Sequence, residues 1–469
     1  MDSKLEEVLK SVVNDFAIDK EFLIEATQKF VSDMDAGLTS KEQTRENMPM
    51  IPTFVTSLPN GKEKGLYLAA DLGGTNFRVC SIDLHGDHTF ELKQSKFKIP
   101  QDLMSDNTAE NLFKYLALKV GSFLDEHHNE ISGSLKLGFT FSFPVNQTAL
   151  NKGTLIRWTK GFDLPECVNK DVVELLQTSL DALKLNVDVV ALANDTVGTL
   201  LSRAYSNNPD ETNANTVVGA IFGTGTNGAY FETLDKIKKL DSDTVGENVS
   251  GMVINTEWGS FDNTLDILPS TKYDEIVDKQ TANPGYHLFE KRISGMFLGE
   301  LLRVTLVELF KEGHIFTDLY KSRGGSLPHR LAEPWQLSSE VLSYMQIDDS
   351  TDLKMSELIL ENVLRLPTTK VERIFIQQLT QAISNRAAYL SAIPLAAILI
   401  RVKDQYKDDP KDFEFGCDGS VVEFYPGFRE KVLKAIELID PLKGQNKKVR
   451  LQIAKDGSGV GAALCASVA

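Results

Sequence analysis

The sequence feature that most constrains the fold is a strand, glycine-rich turn and strand that occurs twice, far apart in the chain. The first copy reads AADLGGTNFRVCSI over residues 69–82, and the second reads IFGTGTNGAYFETL over residues 221–234. In each copy an apolar run leads into the turn, and an alternating run returns from it. Repetition of one supersecondary unit predicts an internally duplicated architecture.

The regions around both copies predict further strands and helices. Residues 65–97 read as three antiparallel strands, GLYLAAD, FRVCSIDL and TFELKQSKF. Apolar runs over 135–143 and 187–193 each follow a helical segment and predict buried strands. Another strand is expected over 216–222, and VRLQIA precedes a helix that begins at Gly457. Alternating strands and helices indicate an α/β sheet fold.

We expect two domains, with a boundary near Val197 where the first sheet ends. The small domain comprises 64–197, with 455–469 folding back onto it, and the large domain comprises 1–63 and 198–454. The apolar spacing from Leu5 predicts an amphipathic packing helix. The polar, turn-rich stretches are interpreted as surface insertions and occupy 206–215, 241–251, 321–334 and 403–414.

Charge and cysteine content argue against several classes of protein. The formal charge of −16 disfavours broad binding to nucleic acid or to anionic membranes. No cysteine pair or histidine cluster suits a zinc site, so buried reduced thiols are expected at Cys80, Cys167, Cys417 and Cys465. The N-terminus MDSKLEEVLK lacks an apolar signal core, and the longest apolar run, 389–400, is too short to span a bilayer. These features predict a cytoplasmic protein.

The two glycine-rich turns together predict a phosphate site. GTGTNG over 223–228 matches the dinucleotide pattern GxGxxG, but a strand follows it where that fold requires a helix, and no GxxxxGK[ST] occurs. Either turn alone is also typical of a plain β-hairpin. Both hairpins offer backbone amides at close range, with hydroxyls from Thr75, Thr224 and Thr226. Arg78 adds a cation, and Asp71 is placed to hold magnesium through water.

Two other positions have both a functional and a structural interpretation. DGSGVG over 456–461 opens a helix, so it suits an anion or nucleotide, or serves only as a helix start. Asn194 and Asp195 follow a buried strand, where open α/β sheets present ligand groups. Asp and Asn also favour helix N-caps. Phosphoryl transfer to a hydroxyl needs a nearby carboxylate as proton acceptor, and Asp195 is the candidate.

Seven motifs in order resemble the hexokinase family, and their wording is most similar to its fungal glucokinases. They run from about Met50 to the end and read LGFTFSFPV, LIRWTKGFDL, ALANDTVGTL, IFGTGTNGAY, NTEWGSFD, GCDGSVVEFYPGF and KDGSGVGAAL. The resemblance implies an α/β, two-lobed actin-like fold, a duplicated ribonuclease-H-like unit with a cleft between a small and a large domain. It also implies phosphorylation of the glucose 6-hydroxyl by Mg-ATP, the first step of glycolysis.

The same resemblance assigns roles to individual residues. It makes Asp195 the catalytic base, and Lys160 also steadies the charge on the moving phosphoryl. The residues implied to surround the sugar are Ser142, Thr159, Lys160, Asn194, Asp195, Asn227, Glu257 and Glu290. Those implied to contact the nucleotide are Asp71, Gly73, Gly74, Thr75, Asn76, Arg78, Gly223, Thr224, Gly225, Gly419, Ser420 and Gly457. Ser338 or Ser339 would complete the nucleoside pocket, but neither is assigned to it, and the adenine contacts are left open.

An alternative function is a catalytically weak actin-like ATP-binding protein, or a glucose sensor of the same fold. Such a protein would be expected to lose the base or a phosphate-turn residue. This chain keeps Asp195, Lys160, Asp71, Arg78 and Thr224, which favours catalysis. Glucose-specific and broad hexose kinases share these motifs, so the range of sugars is left open.

Overall fold

The computed structural model describes residues 3–42, 44–73, 76–105, 108–130, 133–158, 162–241, 245–246, 249–322, 324–454 and 456–469. Its α-helices are α1 (Ser3–Asp15), α2 (Lys20–Thr39), α3 (Gln101–Met104), α4 (Ala109–His127), α5 (Val172–Ala182), α6 (Asp195–Ser206), α7 (Pro209–Thr212), α8 (Lys272–Lys279), α9 (Glu290–Ile293), α10 (Gly295–Lys311), α11 (Thr317–Ser322), α12 (His329–Ala332), α13 (Glu340–Ile347), α14 (Lys354–Leu364), α15 (Lys370–Val402), α16 (Ser420–Phe424), α17 (Phe428–Ile439) and α18 (Gly457–Ser467).

The strands form two large sheets and one short hairpin. They are β1 (Ile51–Pro52), β2 (Lys64–Leu72), β3 (Asn76–His85), β4 (Phe90–Lys98), β5 (Leu135–Phe141), β6 (Val145–Ala149), β7 (Lys152–Leu155), β8 (Val187–Ala193), β9 (Ala214–Phe222), β10 (Thr226–Thr233), β11 (Gly251–Asn255), β12 (Asp412–Asp418) and β13 (Val449–Ile453).

The two large sheets have the same topology, which is the internal duplication that the repeated hairpins predicted. The first sheet has the order β4-β3-β2-β5-β8, and the second has β11-β10-β9-β12-β13 with β1 added at its edge. In each sheet three antiparallel strands are followed by two parallel ones. The carboxyl ends of the parallel strands lie at one edge, where ligand groups are commonly presented.

The helices that follow the last strand of each sheet are exchanged between the sheets. Helix α6 follows β8 of the first sheet but packs on β9, β10 and β12 of the second. Helix α18 follows β13 of the second sheet but packs on β2, β5 and β8 of the first. The two helices contact each other, and their apolar side chains share one buried cluster with residues of both sheets, including Val197, Leu200, Val460 and Leu464.

Glycines bring the two exchanged helices into backbone contact. A Cβ atom added at Gly461 would lie 1.9 Å from the Cα atom of Gly198. Carbon atoms in contact are normally about 3.5–4.0 Å apart, so no larger side chain fits at this crossing without moving the main chain. Gly138 on β5 is similarly close to Ala462, with 1.9 Å between its added Cβ and that residue's carbonyl oxygen. The crossing therefore fixes the distance between α6 and α18.

Helix α15 forms the centre of the larger apolar core. A capping box of Thr369 and Glu372 starts it, and it packs against α2, α9 and α17. Among the described residues, one stretch has the length and composition of a bilayer-spanning helix, Lys370–Tyr406. The apolar run at 389–400, which was judged too short to span a bilayer, is only a part of this longer helix. Of its most apolar window, 83% is buried inside the protein, as in core helices. The four cysteines are free and buried, as predicted.

Some predicted boundaries were wrong. The strand expected over 135–143 ends at Phe141, and the stretches 206–215 and 403–414, interpreted as surface insertions, end inside β9 and β12. Glu414 is completely buried and accepts two hydrogen bonds from Arg203, at 2.6 and 2.9 Å. A buried carboxylate needs a positively charged or hydrogen-bonding partner. Because Arg203 is more than two hundred residues away in the chain, the local sequence around Glu414 could not predict its burial.

Candidate active site

The first glycine-rich hairpin joins β2 to β3 and lines an open cleft of about 610 Å³. Asp71 and Arg78 are directly opposed in the β2–β3 register, and an Arg78 Nη2 to Asp71 Oδ2 contact of 3.0 Å joins them. The predicted residues Asp71, Gly73, Asn76 and Arg78 all line the cleft. The predicted Gly74 and Thr75 lie outside the described residues.

Arg78 is a fixed positive charge in this cleft. Its side chain is 24% exposed, and its guanidinium is near Asp71 and Asp456. Burial opposes the charged form, but the attraction of Asp71 leaves the pKa of Arg78 raised above its ordinary value. The cation is therefore permanent and held in one place, as binding of an anionic group requires.

The second hairpin joins β9 to β10 and contacts the predicted nucleoside residues. A Cβ atom added at Gly223 would be 3.3 Å from Cα of Gly419 and 3.5 Å from the backbone nitrogen of Ser420. The carbonyl of Gly223 accepts a hydrogen bond from the Gly295 amide at 2.7 Å. Thr224 is exposed at the tip of this turn, next to Gly225. The structure thus brings Gly223, Gly419 and Ser420 together.

Asn194 caps α6, so the N-cap interpretation applies to Asn194 and not to Asp195. The Asn194 side chain accepts hydrogen bonds from the Thr196 amide at 3.0 Å and from the Thr196 hydroxyl at 2.7 Å. Asp195 is the first helical residue, at the carboxyl end of β8, and is partly exposed. Its backbone carbonyl accepts a hydrogen bond from the Thr199 hydroxyl at 3.0 Å.

Polar side chains from both sheets meet beside Asp195. Asn194 follows β8 of the first sheet, and its Oδ1 atom lies 3.5 Å from Nδ2 of Asn227 on β10 of the second sheet. The same Asn227 nitrogen donates to Oδ1 of Asn255 at 2.8 Å and to Oε1 of Glu257 at 3.1 Å. Asn255 also donates to Glu257 at 2.8 Å. This amide and carboxylate network offers both donors and acceptors, as the hydroxyls of a sugar require.

Glu290 joins the same region from the start of α9. Its Oε2 atom accepts a hydrogen bond from the Thr226 amide at 2.9 Å, one residue before Asn227. The ring of His287 lies alongside, with Nδ1 3.9 Å from Glu290 Oε1. Burial, followed by the positive charges of Arg157 and Lys291, lowers the pKa of His287 to about 4. A neutral imidazole therefore lies beside the Glu290 carboxylate at neutral pH.

The other predicted residues lie in three different settings. Ser142 follows β5, and its amide donates to the carbonyl of Leu72 at 3.2 Å, which places it next to the first hairpin. Thr159 and Lys160 lie outside the described residues. Ser339 is tied to α10, where it accepts from the Gly299 amide and donates to the Gly295 carbonyl, and Ser338 accepts from the Glu340 amide. Gly457 lies against Thr199, and the next residue, Ser458, contacts Asp71 of the first hairpin.

Sequence reasoning missed several residues of this site. Asn255 is one, although its position two residues before Glu257 at the end of β11 was a usable signal. Gln94 and Lys96 on β4 line the cleft of the first hairpin. Lys96 is directly opposite Arg78 in the strand register, so alternation along β4 could have placed it on that face. Ser458 contacts Asp71. Apart from the glycines on either side of it, the sequence has no feature that predicts this contact.

Family models described as hexokinase match residues 8–205 and 217–468, nearly the whole chain. The chain belongs to the hexokinase family. Among its curated relatives, glucokinase-1 of Saccharomyces cerevisiae is 51% identical, with 99% of this chain and 97% of that protein covered. A glucokinase of Aspergillus niger is 48% identical, with coverages of 94% and 92%. Hexokinase-1 of S. cerevisiae is 40% identical, with coverages of 97% and 90%.

Solved hexokinases have the same fold. A hexokinase from Schistosoma mansoni, solved as a complex with glucose, superposes with a TM-score of 0.85 at 35% identity, and both chains are covered completely. A second hexokinase structure gives a TM-score of 0.84 at 28% identity, again over both complete chains. The two-lobed actin-like α/β fold expected from the motifs is confirmed, and this member of the hexokinase family is a hexose kinase.

Proposed function

We propose that this hexokinase transfers the γ-phosphoryl group of ATP to the 6-hydroxyl of glucose, with Asp195 as the base. The observation that carries the proposal is the hydrogen-bonded network of Asn194, Asn227, Asn255 and Glu257, which connects both sheets directly beside Asp195. A hexose bound there offers hydroxyls that donate and accept, and the network has partners for both. The glucokinase and glucose-bound relatives support glucose as the sugar.

Asp195 is suited to orient the attacking hydroxyl and accept its proton. The carboxylate is carried by the first residue of α6, and Asn194 caps that helix, so the backbone of Asp195 has a fixed position. Positioning contributes much of the acceleration in phosphoryl transfer, because little covalent chemistry is left to the protein. We assign Ser142, Thr159, Lys160 and Glu290 to the same sugar site, and to Lys160 the further role of steadying the charge on the transferring phosphoryl.

We assign the triphosphate to the cleft between the two hairpins. Arg78 supplies a positive charge beside Gly73 in the part of the cleft that the first hairpin lines. We assign backbone amides of the second hairpin, near Gly223, to the other side of the triphosphate. The nucleotide contacts of the proposal include Gly74, Thr75, Asn76, Thr224, Gly225, Gly419, Ser420 and Gly457. The adenine-side role of Ser338 and Ser339 is not included, because their hydroxyls bond to nearby backbone.

The residues present also fit magnesium. No group of three or more metal-ligating side chains was found in the described part of the chain, and Asp71 contributes one carboxylate in the phosphate cleft. Mg²⁺ commonly takes one or two carboxylates, with waters and substrate phosphates completing its shell. Asp71 would hold such an ion through water, and the ion would neutralise phosphate charge.

The proposal includes closure of the two lobes around the sugar. The small lobe would be 64–197 with 455–469, and the large lobe 1–63 with 198–454. Packing of α18 on the first sheet and of α1 and α2 on α15 supports these boundaries. Closure would exclude water, which otherwise competes with glucose as the acceptor. Four free buried thiols are compatible with the cytoplasmic location that we include.

The experiment is a comparison of Asp195→Asn with wild type in an assay of ADP release, with and without glucose. Loss of the base is expected to lower kcat by about 10²–10⁴-fold, with glucose affinity by calorimetry changed only modestly. Asp188→Asn is the matched control, because Asp188 is exposed at the opposite end of β8. Wild-type turnover by Asp195→Asn would refute the assignment, and absence of glucose-dependent ADP release in wild type would indicate the sensor.

The range of acceptors needs a separate assay. ADP release with glucose, fructose, mannose and N-acetylglucosamine measures kcat/KM for each sugar. We expect glucose to give the highest value. A fructose value equal to that of glucose would count against a glucokinase.

A further inference from the structure

Ser458 lies at the junction between the last helix and the phosphate cleft. It is the second residue of α18, and its Oγ atom donates a hydrogen bond to Oδ2 of Asp71 at 2.9 Å. The same Oγ accepts a hydrogen bond from Nη2 of Arg78. Asp71 and Arg78 also contact each other at 3.0 Å. One hydroxyl therefore braces both charged residues of the first hairpin.

The backbone of this helical turn is held on two sides. The carbonyl of Ser458 accepts a hydrogen bond from the Thr140 hydroxyl of β5 at 3.0 Å. A Cβ atom added at the preceding Gly457 would lie 2.8 Å from Oγ1 of Thr199, and that hydroxyl donates to the carbonyl of Asp195. The first turns of α18 and α6 are thus in contact. A displacement of Ser458 would therefore change the positions of both Arg78 and the first turn of α6.

Asp456 adds a second support for the cation. Its Oδ1 atom lies 3.5 Å from Nη1 of Arg78, so Asp71 and Asp456 approach the guanidinium through different nitrogens. The backbone of Asp456 is left-handed, with φ of 48°, a conformation that Asp and Asn tolerate better than other side chains. The orientation of Arg78 is consequently set by residues of α18 and its entry turn.

We propose that Ser458 is a positioning residue for phosphoryl transfer, which holds Arg78 in the orientation that aligns the triphosphate with Asp195. This inference rests on the proposed function, because it requires the triphosphate in the cleft of the first hairpin. Ser458 acts through Arg78, and it belongs to the helix that follows the second sheet. The helix therefore contributes directly to the geometry of phosphates bound by the first sheet.

The test is a double-mutant cycle on kcat/KM for ATP. Ser458→Ala is expected to lower kcat/KM for ATP by about tenfold, the size of one lost hydrogen bond to a charged group. Glucose affinity is expected to stay within twofold of wild type. In an Arg78→Ala background the same change is expected to have almost no effect, because the group that Ser458 orients is gone. Ser467→Ala is the matched control, since that hydroxyl bonds to Leu464 in the last turn of the same helix.

A second variant keeps the test decisive if Ser458→Ala folds poorly. Asp456→Asn removes the negative charge, and asparagine tolerates the left-handed backbone at this position. We expect it to lower kcat/KM for ATP less than Ser458→Ala does. In the Arg78→Ala background this loss should also be absent. Equal losses in both backgrounds, or no loss from Ser458→Ala in wild type, would overturn the inference. Assayed alongside, absence of glucose-dependent ADP release by the wild-type protein would instead show that the proposed function is wrong.

Discussion

Replacement of Gly461 by alanine tests whether the crossing of α6 and α18 positions the active site. The added Cβ would lie 1.9 Å from the Cα atom and 2.3 Å from the carbonyl oxygen of Gly198. Normal contact requires about 3.5–4.0 Å, so the two helices must separate by roughly 1.5–2 Å. Gly198 is one helical turn from Asp195, and Gly461 is one turn from Gly457. The displacement therefore reaches both sides of the proposed site.

Two opposing effects on stability decide the sign of this test. Glycine to alanine within a helix stabilises by about 1 kcal/mol from propensity alone. Overpacking typically costs about 1–3 kcal/mol of unfolding free energy. Here the added Cβ meets backbone atoms, which cannot move away by a change of rotamer. We therefore expect a cost at the upper end of that range. We expect a net loss of about 2 kcal/mol. Because a misplacement of about 1 Å can cost 100-fold, kcat is expected to fall by about two orders of magnitude.

The assay combines urea unfolding with steady-state kinetics of ADP release. Gly133→Ala is the matched control, because Gly133 is exposed and an added Cβ there meets nothing within 4 Å. The control should be neutral in both measurements. If Gly461→Ala were more stable than wild type and retained its kcat, the tight crossing would not exist in solution, and the reasoning from it would fail.

Two further predictions concern charges near the site. The depressed pKa of His287, about 4 in the folded protein against 6.5 unfolded, favours the unfolded state as pH falls below 6.5. The unfolding free energy should drop by about 2 kcal/mol from this group between pH 7 and pH 5, and urea titrations of His287→Gln should show a smaller drop. Lys96→Ala should raise KM for ATP about threefold, as expected for one exposed charge, with glucose affinity unchanged. Lys93→Ala, on the opposite face of β4, is its control, and an equal effect from Lys93 would contradict a specific role for Lys96.

The repeated hairpins and the ordered motifs were sufficient to predict the family, the duplicated α/β fold and most of the residues that meet in the cleft. Local signals suffice for the hairpins, because glycine turns and alternating strands are short-range features, whereas the family and the full residue sets came from the resemblance. Capping was one of two interpretations of Asn194 and Asp195, and the contact with Thr196 shows that Asn194 is the cap, while the catalytic role of Asp195 stays a prediction. Strand ends were the weakest predictions, as with β5.

Long-range packing is what the sequence pattern could not supply. Glu414 belongs to a polar stretch, and its burial is explained by the charge of Arg203 from α6 together with the Thr216 hydroxyl, which also donates to it. The role of Ser458 depends on the approach of α18 to a sheet built from residues far earlier in the chain. In both cases the partner comes from the exchange of α6 and α18, and periodicity within either helix contains no information about which sheet it covers.

The exchange of the two helices explains how a duplicated fold assembles one site from unlike halves. Helix α6 starts at the edge of the first sheet with Asp195 and lies on the second sheet, next to Asn227 on β10. Helix α18 starts at the edge of the second sheet and lies on the first, where Ser458 contacts Asp71 and Arg78. Each sheet therefore carries its own hairpin and is covered by a helix from the other half. Without the exchange, the start of α6 would not lie beside Asn227, and the start of α18 would not lie beside Asp71 and Arg78. Residues of both repeats therefore meet at the proposed site because of it.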